Sequence, residues 1–259
     1  MSVLDQFRLD GQTVIVTGGN RGIGQAIADA MADVGANVVI ANRDGPTGRA
    51  TAEALADEYD VETRWIQTDV SDEASVVSTV EETVDAFGTI DVLVNNAGVN
   101  SHYDVAEMPL EEWQWLFDIN ITGLFLCTKY VGQEMIDSGG GNIVNIASIS
   151  GIIANYPQKQ AHYNASKAAV DGFMRQLASD WAEHDIRVNN INPGYITTAM
   201  VEDYLENHPE LEETWKSQMP GDQFAGPEVI APLAVYLASD ASEYVTGERV
   251  IIDGGYTVR

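Results

Sequence analysis

Thr13-Val14-Ile15-Val16 is a run of four β-branched residues. It leads without a break into Thr17-Gly18-Gly19-Asn20-Arg21-Gly22-Ile23-Gly24, and then into an Ala-rich helical pattern from Gln25 to about Val34. A short β-branched run reads as a buried strand, and Gly35 as the stop of the helix. Val38-Val39-Ile40-Ala41 supplies the next strand. Strand, glycine turn, helix, strand is a parallel unit with a right-handed crossover. Gly18, Gly22 and Gly24 allow a tight turn and let a pyrophosphate approach the helix N-terminus, where free N–H groups and the macrodipole attract anions. In that context the turn predicts dinucleotide binding.

The same rhythm continues along the chain. Further strands are expected at Thr63 to Thr68, Ile90 to Val94, Asn142 to Ala147, Ile186 to Ile191 and Arg249 to Ile252, with helices at Glu73 to Phe87, Leu110 to roughly Met135 and Tyr163 to Glu183. The expected fold class is α/β: a doubly wound parallel sheet of about seven strands, with helices on both faces, in one domain spanning residues 1–259. The notable motifs end strands or open the helix after one, so they should share one edge of the sheet. Residues 197–226 break the rhythm, with Tyr204, Leu205, Leu211, Trp215 and Met219 set among acids. Because this segment follows a site-edge strand, it is expected to form a helical substrate lid.

Charge narrows the partners. Thirteen Lys and Arg face forty Asp and Glu in 259 residues, for a net −27, and only residues 129, 159, 167 and 216 are lysine. Such a surface repels nucleic acid and anionic lipid. Dispersed acidity with few lysines suits a high-salt cytoplasm, where ionic strength screens self-repulsion. No signal-peptide layout or long apolar run is present, so a cytoplasmic protein is expected. Cys127, the single cysteine, lies in an apolar helical stretch and reads as a core residue. His102, His184 and His208 stand apart in sequence without ligand spacing, so no metal is expected.

Tyr163-Asn164-Ala165-Ser166-Lys167 places a phenol and an ammonium four residues apart, on one face if helical. A nearby cation favours the phenolate, and a phenol so tuned can take a proton from an alcohol or return one to a carbonyl.

Thr17 to Gly24, Asn95 to Gly98, Asn120, Ser148, Tyr163 to Lys167, and Pro193-Gly194 with Thr198 together resemble the short-chain dehydrogenase/reductase family, and the resemblance runs from Thr13 to Gly255. It implies that Tyr163 is the general acid/base and that Lys167 lowers its pKa and holds the nicotinamide ribose hydroxyls. It implies that Ser148 binds the substrate oxygen and that Asn120 holds a water linking Lys167 to solvent. The implied cofactor set is Gly18, Asn20, Arg21, Gly22, Ile23, Gly24, Asn42, Arg43, Asp69, Val70, Asn96, Ala97, Gly98, Tyr163, Lys167, Pro193, Gly194, Ile196 and Thr198. Homotetramers or dimers are usual in the family, and a homotetramer is expected, with Met174, Leu177 and Trp181 as candidate interface residues.

Position 42, where a carboxylate would select NAD, is Asn, and Arg21 and Arg43 can pair with a 2′-phosphate, so NADP is expected over NAD. Asn155 and Gln158, with Ser148 and Tyr163, are the expected substrate residues. The segment Gly151 to Gln158 resembles sugar- and polyol-oxidising members such as mannitol, arabinitol and gluconate dehydrogenases, so a sugar, polyol or sugar acid is expected. Two alternatives stand beside this reading. A 3-oxoacyl thioester reductase would want a basic patch for its carrier, and a non-catalytic dinucleotide-binding regulator typically lacks the Tyr or the Lys.

Overall fold

The computed structural model describes residues 2–221 and 224–258. Seven strands form one sheet: β1 Thr13–Thr17, β2 Asn37–Asn42, β3 Thr63–Gln67, β4 Val92–Asn95, β5 Gly141–Ile146, β6 Ile186–Pro193 and β7 Arg249–Ile252. Their order is β3-β2-β1-β4-β5-β6-β7, and every neighbouring pair runs parallel. The helices are α1 Gly22–Asp33, α2 Gly45–Glu58, α3 Glu73–Phe87, α4 Leu110–Phe117, α5 Leu124–Ser138, α6 Ala161–Asp180, α7 Ala199–Asn207, α8 Pro209–Ser217 and α9 Ala231–Ala238.

Alternate residues of each strand face opposite sides of the sheet. Val14, Val16, Val38 and Ile40 pack under α1, α2 and α9; Ile15, Val39, Leu93 and Ile143 pack under α3, α5 and α6. Covered on both faces, the strands read as unbroken apolar runs, and each fully buried Val, Leu or Ile contributes roughly 1.5–3 kcal/mol. Cys127 lies in this core, where burial pushes its thiol up to about 12.

Met174 and Leu177, which could have supplied an interface or the core, are core residues. They share the face of α6 that meets the sheet. Trp181 packs over Gly132, where a Cβ would overlap its ring. The exposed apolar residues on α4 and α5 are Leu110, Trp113, Trp115 and Phe125.

The strand order reverses on either side of β1, and in such sheets the crevice opens beyond the strand C-termini. Thr17 closes this switch point. Its Oγ1 donates to Val94 O at 3.2 Å and accepts from the Asn96 and Ala97 N–H groups at 3.0 Å each, tying the end of β1 to the end of β4.

The single long helix expected from Leu110 to about Met135 is interrupted. Asp118–Gly123 forms a π-helical turn between α4 and α5. Such bulges re-aim side chains, and this one carries Asn120 inward.

Between β6 and α9 the chain makes the expected excursion. Thr198 caps α7, accepting from the Val201 N–H. Leu211 and Trp215 of α8 are buried, as is Met219. The excursion is pinned at its base, where Ile196 bridges Ala225 and the Thr197 N–H donates to Ala225 O at 2.8 Å. Asp222 and Gln223, inside the expected lid, lie outside the described residues. No helix among the described residues is long and apolar enough to cross a membrane.

Candidate active site

One cleft of about 850 Å³ runs along the C-terminal edge of the sheet, past the ends of β1, β2, β4, β5 and β6. Every expected site residue except Gly24 and Asn120 lines it.

At one end the glycine turn enters α1. Gly18 and Gly22 have φ of 64° and 55°, in the left-handed region that side chains resist. A Cβ on Gly22 would meet only the Thr198 side chain, at 3.4 Å, so this backbone is open to the cleft. Gly24 acts differently from the expectation. A Cβ there would overlap Asn96 Nδ2 and Gly18 O, so this glycine serves packing within the turn and not ligand approach. No side chain caps the N-terminus of α1. Its free N–H groups face a cleft that also holds Arg21 and Arg43, the chemistry a dinucleotide's phosphates require. The residues present therefore fit such a cofactor.

Several polar side chains at this end are already engaged inside the protein. Asn96 Nδ2 donates to Thr17 O and Gly18 O, at 2.9 and 3.2 Å. Asn42 donates to Asp44 O at 2.7 Å and accepts from Trp65 Nε1 at 3.0 Å, so its amide organises the loop after β2. Asn20 donates to Thr47 Oγ1 at 2.8 Å. Burial alone would raise the Asp69 carboxyl, but hydrogen bonds from Ser71 and the charge of Arg43 outweigh it and hold the group below its ordinary range. Ser71 Oγ donates to Asp69 at 2.6 Å, while Arg43 stands 3.9 Å away and 63% exposed.

Mid-cleft lie Ser148, Tyr163 and Lys167. Tyr163 and Lys167 rise from α6 one turn apart, with the ammonium 5.7 Å from the phenol ring centre. Lys167 Nζ donates to Ile146 O at 2.9 Å. Burial lowers Lys167 to about 8, against the opposing pull of Asp171. The expectation that Lys167 draws the phenol pKa down is not met in this geometry. Burial pushes Tyr163 up, and the opposing influence is a hydrogen bond from Ser148. The ammonium is turned toward a carbonyl and is not against the phenol oxygen. Ser148 is itself held in place: its Oγ accepts from Ser150 N at 3.1 Å and its carbonyl from Asn192 Nδ2 at 2.9 Å.

Asn120 lies beneath this group. Its Oδ1 accepts from Val99 N at 2.8 Å, and its Nδ2 donates to Val99 O at 2.9 Å and to Ser166 Oγ at 3.2 Å. A Cβ built on Gly98 would stand 3.3 Å from Asn120 Oδ1 and 3.6 Å from Lys167 Nζ, so this glycine keeps open the space the two residues share.

The far end is built from side chains. Asn155 and Gln158 both donate to Tyr195 OH, at 3.3 and 2.8 Å. Tyr195 stacks on Trp215 at 4.4 Å, and Tyr256 meets its edge at 5.3 Å. His102 and His208, which read as isolated in sequence, flank one ring: Tyr204 stacks on them at 4.1 and 4.4 Å. Burial lowers the His102 pKa and favours its neutral form. Tyr195, His102, Tyr204 and Asn100 were missed as site residues. They come from separate loops and helices, and no local spacing marks them.

A family model described as Enoyl-(Acyl carrier protein) reductase matches residues 18–257. Galactitol 2-dehydrogenase of Rhizobium johnstonii is 39% identical over 258 residues, covering 99% of both chains. The NADP-dependent mannitol dehydrogenase of Hypocrea jecorina is 37% identical, covering 99% of this chain and 96% of its own. The crystal structure of a gluconate 5-dehydrogenase from Burkholderia cenocepacia, in complex with NADP and tartrate, superposes with a TM-score of 0.94 at 31% identity and covers all of both chains.

Proposed function

This chain belongs to the short-chain dehydrogenase/reductase family, and on that premise we propose an NADP-preferring oxidoreductase acting on a CH–OH or C=O group of a sugar, polyol or sugar acid. The carrying observation is one cleft that holds Ser148, Tyr163 and Lys167 between a cationic, glycine-lined end and an amide-lined end. A bound nicotinamide dinucleotide supplies the two-electron half of the reaction. Gly22, Arg21, Arg43, Asp69 and Lys167 would hold it, with Lys167 on the nicotinamide ribose. Ser148 donates to the reacting substrate oxygen and fixes its position. Tyr163 takes the hydroxyl proton in oxidation and returns it in reduction. Asn120, bordering the space beside Gly98, would hold a water that links Lys167 to solvent and takes that proton onward.

Asn42 offers no negative charge against a 2′-phosphate, and Arg43 is exposed and only loosely paired, which supports NADP. Assay of a polyol and sugar-acid panel at 340 nm, with both cofactors, tests the reading. A kcat/KM for NADP above that for NAD is expected, and Arg43→Ala should lower NADP use selectively by about 10–100-fold. A preference for NAD rejects the cofactor assignment. The acyl-thioester alternative gains little from the surface: Lys129, Lys159 and Lys216 each pair with an acid, so they form no basic patch.

The exposed Trp113 and Phe125 on α4 and α5 support a homotetramer, with light scattering as the check. The net −27 supports a high-salt cytoplasm, which predicts greater stability in molar salt than in dilute buffer.

A further inference from the structure

The wall of the substrate end is a chain of carboxamides joined head to tail. Asn100 donates to Gln160 Oε1 at 3.2 Å, and Gln160 donates to Asn164 Oδ1 at 3.1 Å. Asn164 donates to Asn155 Oδ1 at 3.1 Å, and Asn155 to Tyr195 OH, which also accepts from Gln158. One backbone group sets the polarity. Asn164 Nδ2 donates to Ile153 O at 2.9 Å, and a carbonyl only accepts, so Asn164 cannot flip. Gln160 and Asn100 must then follow in order. Asn100 ends the chain with its Oδ1 unpaired, and Gln158 Oε1 is likewise unpaired; both residues line the cleft.

Charge at this end is equally one-sided. The described cations lining the cleft are Arg21 and Arg43 at the phosphate end and Lys167 at mid-cleft. Asp203 of α7 also lines the cleft, and burial favours neutral His102. A carboxylate offers only acceptors, and here it would meet the fixed, unpaired Asn100 Oδ1 with no described Lys or Arg at this end. A hydroxyl offers both a donor and an acceptor.

We propose that the substrate is an uncharged polyol or its ketose and not a sugar acid, with Asn100 Oδ1 and Gln158 Oε1 accepting from hydroxyls away from the reacting carbon. This narrows, and rests on, the sugar, polyol or sugar-acid reading above.

The test is initial rates with NADP on matched pairs of four to six carbons: threitol, mannitol and galactitol against threonate, mannonate and galactonate. The best polyol should exceed the best acid in kcat/KM by about tenfold or more. Gln158→Leu and Asn100→Leu should each raise KM for that polyol by about tenfold, with the thermal midpoint serving as the folding control. An acid used as well as its polyol overturns the proposal, as does an unchanged KM in both Leu variants. Turnover of neither class overturns the broader reading, and this narrowing with it.

Discussion

The two ends of the cleft are made of different material. The phosphate end is backbone: a glycine turn, an uncapped helix N-terminus and strand ends laced by Thr17 and Asn96. Its amides are engaged within the protein, and what it shows a ligand is N–H groups and two cations. The substrate end is side chain: carboxamides and stacked rings drawn from four or more segments. It is left with Asn100 Oδ1, Gln158 Oε1 and Trp215 Nε1 buried and unpaired. Each unpaired group costs about 1–3 kcal/mol until a partner arrives. The first end offers a ligand free backbone N–H groups and two cations, whereas the second keeps unpaired side-chain groups that a ligand's hydroxyls can satisfy. The difference separates what any member of such a family must bind from what one member must choose.

The sharpest way to break this comparison is at the junction. Tyr163→Phe removes only the phenol hydroxyl, the proposed proton carrier, and leaves the ring and the polar groups of both ends in place. It should lower kcat by about 10²–10⁴-fold. Cofactor affinity, read by quenching of protein fluorescence, should stay within about twofold of wild type. Retained turnover would remove Tyr163 from the chemistry. A parallel loss of cofactor binding would show that the ends are not separable.

A smaller effect is expected from the aromatic stack that joins the loop after β4 to α7. Tyr204→Leu breaks its contacts with both His102 and His208, each stacked ring pair being worth about 0.5–1.5 kcal/mol. Substrate KM should rise by about 3–10-fold while the cofactor KM is unmoved. Equal rises in both would mean that α7 orders the whole cleft, in keeping with Thr198 lying against Gly22.

The asymmetry also explains what could be read from the sequence. The sheet, its direction and the phosphate end were legible because their signals are local: β-branched runs, the spacing of Gly18 and Gly22, a Tyr and Lys one turn apart. Asn120 was legible only through resemblance, since the π-helical turn that aims it has no simple pattern. Met174 and Leu177 stayed open between an interface and the core, because an apolar helix face does not say what covers it. Tyr195 and His102 could not be found from spacing, for they meet Trp215 and Tyr204 only through the tertiary fold. Lys167's influence on Tyr163 was inferred from sequence separation, yet its orientation toward Ile146 O is a property of packing.

The smallest effect concerns the floor between the two ends. Asp171 lies one turn beyond Lys167 on α6, 3% exposed, and its carboxylate accepts from Asn190 Nδ2 at 2.8 Å and from Arg249 Nη1 at 3.1 Å. Asn192 bridges Asp171 to Ser148 O, so one acid supports both the serine and the lysine. Lys167's folded value of about 8 lies below its ordinary 10.5. The native state therefore binds fewer protons than the unfolded chain between those values, and stability rises with pH across that window. The negative charge of Asp171 opposes the lowering. Asp171→Asn should therefore move Lys167 below 8, and the alkaline limb of the kcat/KM profile should shift to lower pH by a fraction of a unit to about one unit. The variant should also lose roughly 1–3 kcal/mol by leaving Arg249 unpaired, the lower part of that range reflecting Arg249's partial exposure. If only stability changes and the limb stays in place, Asp171 is a structural ion pair and Lys167 titrates independently of it. If the limb moves with little loss of stability, Asp171 is a positioning residue whose charge sets the lysine that serves both ends of the cleft.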